Sequence, residues 1–289
     1  MMRSKLFSKN LVKAALPLFS LLLLLTLSGC QESFEPTFKG EDIPYHVKQI
    51  CKEEYGLDVL ARMTDTTIWI YIPLQKILHK EYGVTEGKVL DEEMTDKLRN
   101  ILTTVGRVLL SADKAPEFFA LWSSDINIGL DYIIMGNVMD IKKSYGGDMP
   151  STELNKRYVM KFGLNTQAIK DASGSHLKFY NITLPDFLTQ QMVQRLTVKL
   201  QAEELKNNFK IEKIDGIFND GAFILEYSAK SLEPAKPFDI MKEFLNIVNY
   251  CVKAYDFRDF SRVEINDLLT GDRMILDKAT LYSRPLPAY

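Results

Sequence analysis

A strand–strand–helix–strand–strand pattern occurs twice in this chain and constrains its fold more than any other feature. In the first half, residues 57–73 are predicted to form two strands around Thr64-Asp65-Thr66, because isoleucines at 68, 70 and 72 alternate with Thr67, Trp69 and Tyr71. A helix is predicted from Asp91, a suitable N-cap, with apolar residues at helical spacing as far as Leu109. Residues 118–123 and 132–141 are predicted as two further strands around a turn at residues 124–127.

The second half repeats this order. Residues 209–227 are predicted to form a hairpin around Asn219-Asp220-Gly221, a strong turn signal. Pro237 is predicted to open an amphipathic helix, and residues 262–268 and 274–282 are predicted as strands around Thr270-Gly271-Asp272. Aligning Asp65 with Asp220, and Asp131 with Asp272, indicates a duplication. The alternative is that unrelated hairpin–helix–hairpin units stand twice in one α+β protein.

The predicted fold class is therefore α+β, mostly antiparallel sheet with packed helices, in two related halves. Between the halves, one helix is predicted from Ser151 toward Phe162, and another from a capping sequence at Thr183, with a loop at residues 170–176. The predicted divisions are a leader at 1–29, an anchor and tether at 30–43, a first half at 44–163, a connecting loop and helix at 164–207, and a second half at 208–289.

The first 29 residues have the composition of a secretory signal peptide. Four basic residues, at positions 3, 5, 9 and 13, precede an apolar run at residues 14–27 that contains Pro17. A membrane-spanning helix needs roughly 20 apolar residues, and proline weakens a helix, so a permanent span is the weaker interpretation. The run ends in Leu27-Ser28-Gly29-Cys30.

This ending resembles the lipobox of bacterial lipoproteins, and the resemblance covers only the leader and its cysteine. It implies that the Cys30 thiol receives a diacylglycerol and that a dedicated signal peptidase, recognising Leu27, Ser28 and Gly29, cuts before Cys30. Two acyl chains anchor a protein stably to a bilayer, whereas one holds it only marginally. The alternative is a chance cysteine after an ordinary leader. In lipoproteins of two-membrane bacteria, aspartate after the cysteine tends to mark inner-membrane retention. If the source has two membranes, the resemblance with Gln31 at that position therefore implies the outer one, facing the periplasm.

The net charge of the chain limits the kinds of partner it can bind, and its two remaining cysteines limit the disulfides it can form. The mature chain would keep all 38 acidic residues but lose four of the 36 basic ones, so it is net acidic and predicts no nucleic-acid surface. Cys51 and Cys251 lie on the apolar sides of predicted helices, which favours two buried thiols; a long-range disulfide is the alternative that an exported compartment permits.

The sequence contains no recognisable catalytic, metal or cofactor motif, and no family is recognised for the globular body. His46, His79 and His176 lack partners at ligand spacing and are predicted to lie on the surface. Asp125, Asp131 and Asp140 form an acid series that favours turns more than a cation site.

Three functions remain open from the sequence. The leading expectation is a membrane-anchored envelope lipoprotein whose soluble domain binds a partner or supports envelope assembly. The alternative is a carrier or sensor of a hydrophobic ligand, held between sheet and helices. An enzyme of unrecognised class is less favoured. Trp69 and Tyr71 bear on the choice, because an exposed aromatic face would suit a partner or lipid; burial on both sheet faces is the favoured arrangement.

Overall fold

The computed structural model describes residues 36–79, 89–202, 205, 208–232 and 238–285. Residues from Phe38 onward form one compact unit. The helices are α1 (Ile43–Tyr55), α2 (Glu92–Leu110), α3 (Val138–Tyr145), α4 (Ser151–Arg157), α5 (Leu184–Gln201), α6 (Ile240–Ala254) and α7 (Lys278–Ser283). The strands are β1 (Leu60–Thr64), β2 (Thr67–Leu74), β3 (Phe118–Asp125), β4 (Leu130–Asn137), β5 (Val159–Leu164), β6 (Phe209–Asn219), β7 (Ala222–Ser231), β8 (Arg262–Asp267) and β9 (Arg273–Asp277).

The strands form two sheets, with the orders β1-β2-β3-β4-β5 and β6-β7-β8-β9. Five of the seven strand pairs in this described part of the chain are antiparallel, and the pairs β2·β3 and β7·β8 are parallel. Each parallel pair is joined through a long helix, α2 or α6, because a crossover must return the chain to the same end of the sheet. The predicted α+β class, mostly antiparallel, is confirmed.

The two halves share both element order and backbone hydrogen bonds. The Glu117 N–H donates to the Thr66 carbonyl at 2.8 Å, and the Ser261 N–H donates to the Gly221 carbonyl at 2.7 Å, so β3 and β8 enter their sheets in the same way. Asp65 and Asp220 both have φ of 49° in the matching turns. The prediction of two halves with one strand–strand–helix–strand–strand order is confirmed.

The common frame is longer than the sequence pattern indicated. Helices α1 and α5 precede the two hairpins, and short helices α3 and α7 follow the two last strands. Residues 138–141 and 278–282, predicted as strand ends, are helical. The reason is the same in both halves: Asn137 and Asp277 are N-caps whose side chains accept from the Met139 and Thr280 amides, so each ends its strand and starts a helix.

The hairpins β3–β4 and β8–β9 also correct the predicted alignment. Asp125 accepts from the amides two and three residues further on, Asp267 does the same, and Gly129 and Gly271 close the two turns with positive φ. Asp125 therefore aligns with Asp267, and Asp131 is not the counterpart of Asp272. The second hairpin has shorter strands, six and five residues against eight and eight.

Two further boundaries differ from the sequence predictions. The helix predicted from Ser151 toward Phe162 ends at Arg157, and the chain continues as strand β5. The helix after the second hairpin begins at Ile240 with Asp239 as its cap, whereas Pro237 lies outside the described residues. The tether predicted as far as Ile43 is also shorter, since Phe38 already donates its amide to the Ser111 carbonyl at 3.1 Å.

Apolar side chains fill a core against each sheet. In the first half α1, α2 and α3 pack on the sheet face that carries the isoleucines of β2; in the second half α5 and α6 contribute to the core. Val105 of α2 and Val248 of α6 are both fully buried. Cys51 and Cys251 are buried free thiols, which confirms the favoured interpretation over the disulfide. Burial raises the pKa of the Cys251 thiol to about 12.

The second face of the first sheet is covered by the connecting segment, residues 165–187. The Trp69 indole donates to the Tyr180 carbonyl at 2.7 Å and stacks on Phe179, with ring centroids 5.6 Å apart. Asn181 accepts from the Thr66 amide and from the hydroxyls of Thr66 and Thr67. Trp69 and Tyr71 are therefore buried, as favoured, although the covering element is this segment rather than a long helix.

Candidate functional site

Strand β5 belongs to the first half only. After the short helix of the common frame, the first half adds α4 and β5, whereas the second half is described only as far as Pro285, just beyond α7. β5 pairs antiparallel with β4 and forms the edge of the five-stranded sheet. Functional sites are often carried by segments that are added to a common fold, so β5 is a candidate location for a site.

One face of β5 is apolar and open to solvent. Met160, Phe162 and Leu164 alternate along the strand and are 44%, 52% and 86% exposed. Together they are called the β5 face. Lys161 points to the opposite side of the sheet, where burial lowers the pKa of its ammonium group. No charged side chain of this strand therefore interrupts the β5 face.

The backbone of this strand is also partly unpaired. The Asn165 amide donates to the Gly129 carbonyl at 2.7 Å, so the odd-numbered residues of β5 bond to β4 and the even-numbered ones point outward. The Met160 amide is satisfied by the Gln194 side chain at 2.5 Å. For Phe162 and Leu164, the structure gives no outward backbone partner within the residues it describes. The end of β5 thus offers hydrogen-bonding groups beside apolar side chains.

The other sheet edges carry protective features; β5 is also short, with six residues, but its one charged residue, Lys161, lies off the β5 face. Strand β6 has a bulge between Ile211 and Lys213, and Lys213 pairs with Glu226 at 2.9 Å. Strands β1 and β9 are five residues long and carry Arg62 and Arg273. Bulges, short length and charges keep an edge strand from pairing with another chain. β5 has a continuous apolar face instead.

An apolar groove of about 340 Å³ adjoins the β5 face on the side of α2. Leu98 and Leu102 of α2 form one wall, and Tyr132 and Ile134 of β4 form the floor. The Tyr132 ring stacks on Phe162 with centroids 4.6 Å apart, so groove and strand face are contiguous. Burial raises the pKa of Tyr132 to about 12, so its phenol stays neutral at physiological pH.

A second groove, of about 400 Å³, lies at the start of β5 between α4, α5 and α6 and is called the basic groove. Its polar lining includes Lys156, Arg195 and Lys199, with Glu243 as its acid. The apolar lining is Met160, Val198 and Ile247. Met160 therefore belongs both to the basic groove and to the β5 face.

A buried ionic cluster beside this groove joins the two halves. Arg157 donates to Asp140 at 2.8 Å and to Glu153 at 2.9 Å, within the first half. From the second half, the Tyr255 hydroxyl donates to Asp140, and the Tyr250 hydroxyl donates to Glu153. The cluster fastens α3 and α4 to α6.

The pKa values in this cluster are set by burial and by the hydrogen bonds and charges of the neighbouring cluster members. Burial alone would raise the pKa of Glu153, but donors from Tyr250, Arg157 and Arg195 hold it below its usual value. Burial raises the pKa of Tyr255 strongly, helped by the neighbouring Asp140 charge. Both carboxylates already accept several strong hydrogen bonds, so the cluster is built for attachment and not for proton transfer.

His176 corrects a sequence prediction, because its side chain is only 5% exposed. Its Nδ1 lies 2.8 Å from an Asp171 carboxylate oxygen, and its ring meets Tyr71 edge-on. Hydrogen bonds from His176, Ser173 and Ser175 hold the pKa of Asp171 well below its usual range. These contacts hold the loop over the aromatic face of the sheet, which gives this histidine a structural role.

The aspartate series does not converge on a common point. Asp125 caps its turn, Asp131 accepts from Ser124 and Asn165, and Asp140 belongs to the ionic cluster. In the described part of the chain, no group of three or more metal-ligating side chains comes together. Leu27, Ser28, Gly29 and the candidate lipid-attachment residue Cys30 lie outside the described residues.

The β5 face was missed at the sequence level, although its signal is present. Residues 159–164 alternate Met160, Phe162 and Leu164 with other residues, which is strand periodicity. The signal is hard to separate from the helix that begins at Ser151, because the two follow each other directly. Among the helices that the structure describes, none is long and apolar enough to cross a membrane.

Comparisons with protein-family models, with curated proteins and with solved structures gave no match. The candidate site therefore stands on the geometry of the β5 face and its two flanking grooves.

Proposed function

We propose that this chain is an exported, lipid-anchored envelope protein whose folded part binds a partner protein along the β5 face. The observation that supports the binding role is the exposure of Met160, Phe162 and Leu164 side by side on an edge strand. Contiguous exposed apolar surface on a soluble domain marks an interaction site, and an unprotected edge accepts an added strand. The lipobox-like sequence ending at Cys30 supports the anchor.

The binding role is tested by photo-crosslinking in the full-length protein. A photoreactive amino acid at Phe162 is expected to capture a discrete partner in cells, and Phe162→Glu is expected to abolish capture from Leu164. The matched control is Ile275, which is 53% exposed on edge strand β9 of the second sheet. A photoreactive residue at Ile275 is expected to give no discrete product.

Stability is measured in parallel to separate binding from folding. Ile275→Glu changes an exposed side chain and is expected to shift the free energy of unfolding by about 0.5 kcal/mol or less. Phe162→Glu also loses the ring contact with Tyr132 and is expected to cost about 0.5–1.5 kcal/mol. Equal capture from Phe162 and Ile275 would contradict the proposal. Loss of folding in Phe162→Glu would also contradict it, because the residue would then serve the core.

The anchor is tested separately at Cys30. Replacing Cys30 with Ser is expected to leave an unprocessed precursor and to remove labelling by a fatty-acid probe, since the thiol is the acceptor. Labelling of the variant at the wild-type level would refute lipid attachment at this residue, whatever the fate of the partner-binding role. If the source has two membranes, we expect the wild-type protein in the outer-membrane fraction, facing the periplasm.

The α2 groove favours a second candidate, a carrier or sensor of a hydrophobic ligand. Its walls, Leu98 and Leu102, and its floor, Tyr132 and Ile134, enclose about 340 Å³ beside the sheet. Apolar pockets with a few polar groups take small apolar ligands. A lipid that remains bound in native mass spectrometry, and is lost in Leu102→Asp but not in Phe162→Glu, would favour this function over partner binding.

A further inference from the structure

We propose that the partner segment at β5 is an extended peptide that carries an acidic residue next to alternating apolar residues, and that Lys156 and Lys199 bind the acid. This inference rests on the proposed function and adds the chemistry of the partner.

The basic groove and the β5 face share Met160 and form one continuous surface. Moving along β5 from Met160 to Leu164 leads from the cationic lining to the apolar end of the strand. A peptide lying along this strand therefore has one end beside the lysines and the other beside Phe162 and Leu164.

The two lysines are available for a ligand. Lys156 and Lys199 are both exposed, and the described residues provide neither with an ion pair. Arg195 already has partners within the protein. It donates to Glu153 at 3.1 Å, and its guanidinium lies 4.6 Å from the centroid of the Tyr250 ring. The free positive charge of the groove thus comes from the lysines.

Charge complementarity identifies the occupant. The chain has a formal net charge of −2, so a cationic groove is a local departure from the charge of the molecule. Among the described residues that line this groove, Glu243 is the acid. Such a patch attracts an acidic group and repels a basic one, which sets partner choice more than raw affinity.

The geometry of a β-strand determines which residues of the bound peptide lie next to the β5 face. Side chains on one face of an added strand recur at every second residue. Those next to Phe162 and Leu164 are expected to be apolar, and the one next to Met160, on the same face, is expected to be Asp or Glu. The intervening positions face the other side of the sheet and are unconstrained by these contacts.

The test selects random displayed peptides on three forms of the full-length protein in detergent. The forms are wild type, the charge-reversed variant Lys156→Glu/Lys199→Glu and the face variant Phe162→Glu. All three substitutions are at exposed positions, so the fold is expected to persist, as checked by circular dichroism. Wild type is expected to enrich an acid beside alternating apolar residues, and the charge-reversed variant to enrich a base at the same position.

The outcomes separate the two proposals. Enrichment of alternating apolar residues without a charge preference, or with one that the lysine variant leaves unchanged, would overturn the acidic motif and leave partner binding intact. Enrichment that is identical on wild type and Phe162→Glu would overturn the proposed function itself. Self-association of the wild type that Phe162→Glu abolishes, measured by sedimentation in the same detergent, would make a second copy the occupant and overturn the peptide proposal.

Discussion

The two halves of this molecule share one order of helices and strands but differ in what is added to it. Each contains a helix, a hairpin, a long crossover helix, a second hairpin and a short terminal helix, with matching turns at Asp65 and Asp220. The first half adds α4, β5 and the connecting segment, and its sheet has five strands against four. The added strand has an exposed apolar face, whereas β6 and β9 at the edges of the second sheet carry charges.

The comparison teaches that the common frame and the exposed β5 face are separable in this protein. In both halves the inner strands of the frame pair on both sides and the long helices cover the cores, while the edge strands β1, β6 and β9 carry charged residues. The added strand pairs with β4 on one side; on its outer side Gln194 of α5 accepts from the Met160 amide, and the rest of that edge is open within the described part of the chain. The β5 face is thus an open apolar surface on an otherwise protected sheet, and the proposed partner binding rests on that exposure.

The largest expected effect comes from breaking the buried ionic cluster that lies between the halves. Arg157→Ala removes the cation between Asp140 and Glu153, and leaves Asp140, which is 2% exposed, without its counter-charge. We expect a loss of about 3–5 kcal/mol in the free energy of unfolding, measured with denaturant. The control is Arg99→Ala, which breaks an exposed pair with Asp96 and is expected to cost about 0.5 kcal/mol or less. Equal costs would show that the buried Asp140 carboxylate does not depend on Arg157 for its stability.

A smaller effect tests the equivalence of the two cores. Val105→Ala and Val248→Ala each remove buried methyl groups from the crossover helix of one half. We expect each to lower the free energy of unfolding by about 1–3 kcal/mol, through lost burial and a small cavity. A near-zero cost for one valine and a full cost for the other would break the comparison, because the helices would then not cover equivalent positions.

The smallest effect separates a shared cap from an added ion pair. Asp91 and Asp239 cap the two crossover helices, and each Asp→Ala is expected to cost about 1 kcal/mol. Asp91 also receives the Lys76 ammonium at 2.5 Å, which holds the pKa of its carboxyl below the usual value. Asp91→Asn keeps the cap and loses the ion pair, so thermal unfolding should place it between wild type and Asp91→Ala. If Asp91→Asn proved as unstable as the alanine variant, the whole effect would belong to the ion pair.

Local sequence patterns correctly predicted several turns and helix starts, because each of these depends on only a few neighbouring residues. The hairpin at Asp220-Gly221 is correct because both residues have positive φ, which that dipeptide adopts readily. The predicted caps at Asp91 and Thr183 are also correct, since each side chain accepts from an amide three residues on. By contrast, the strand prediction for residues 138–141 and 278–282 is wrong because their apolar content fits either element, and only the caps at Asn137 and Asp277 decide.

The sequence by itself determined the repeated α+β frame and the burial of both free cysteines, and it predicts a lipid anchor at Cys30. Tertiary structure alone decided where β5 lies, because joining β4 as an edge strand depends on contacts between residues 130–135 and 159–164. It also decided that Trp69 is covered by residues 165–187, and that Met160 lies at both a cationic groove and an apolar face. Periodicity reports which side chains share a face of one element, but only packing between distant segments fixes which of those faces remains exposed.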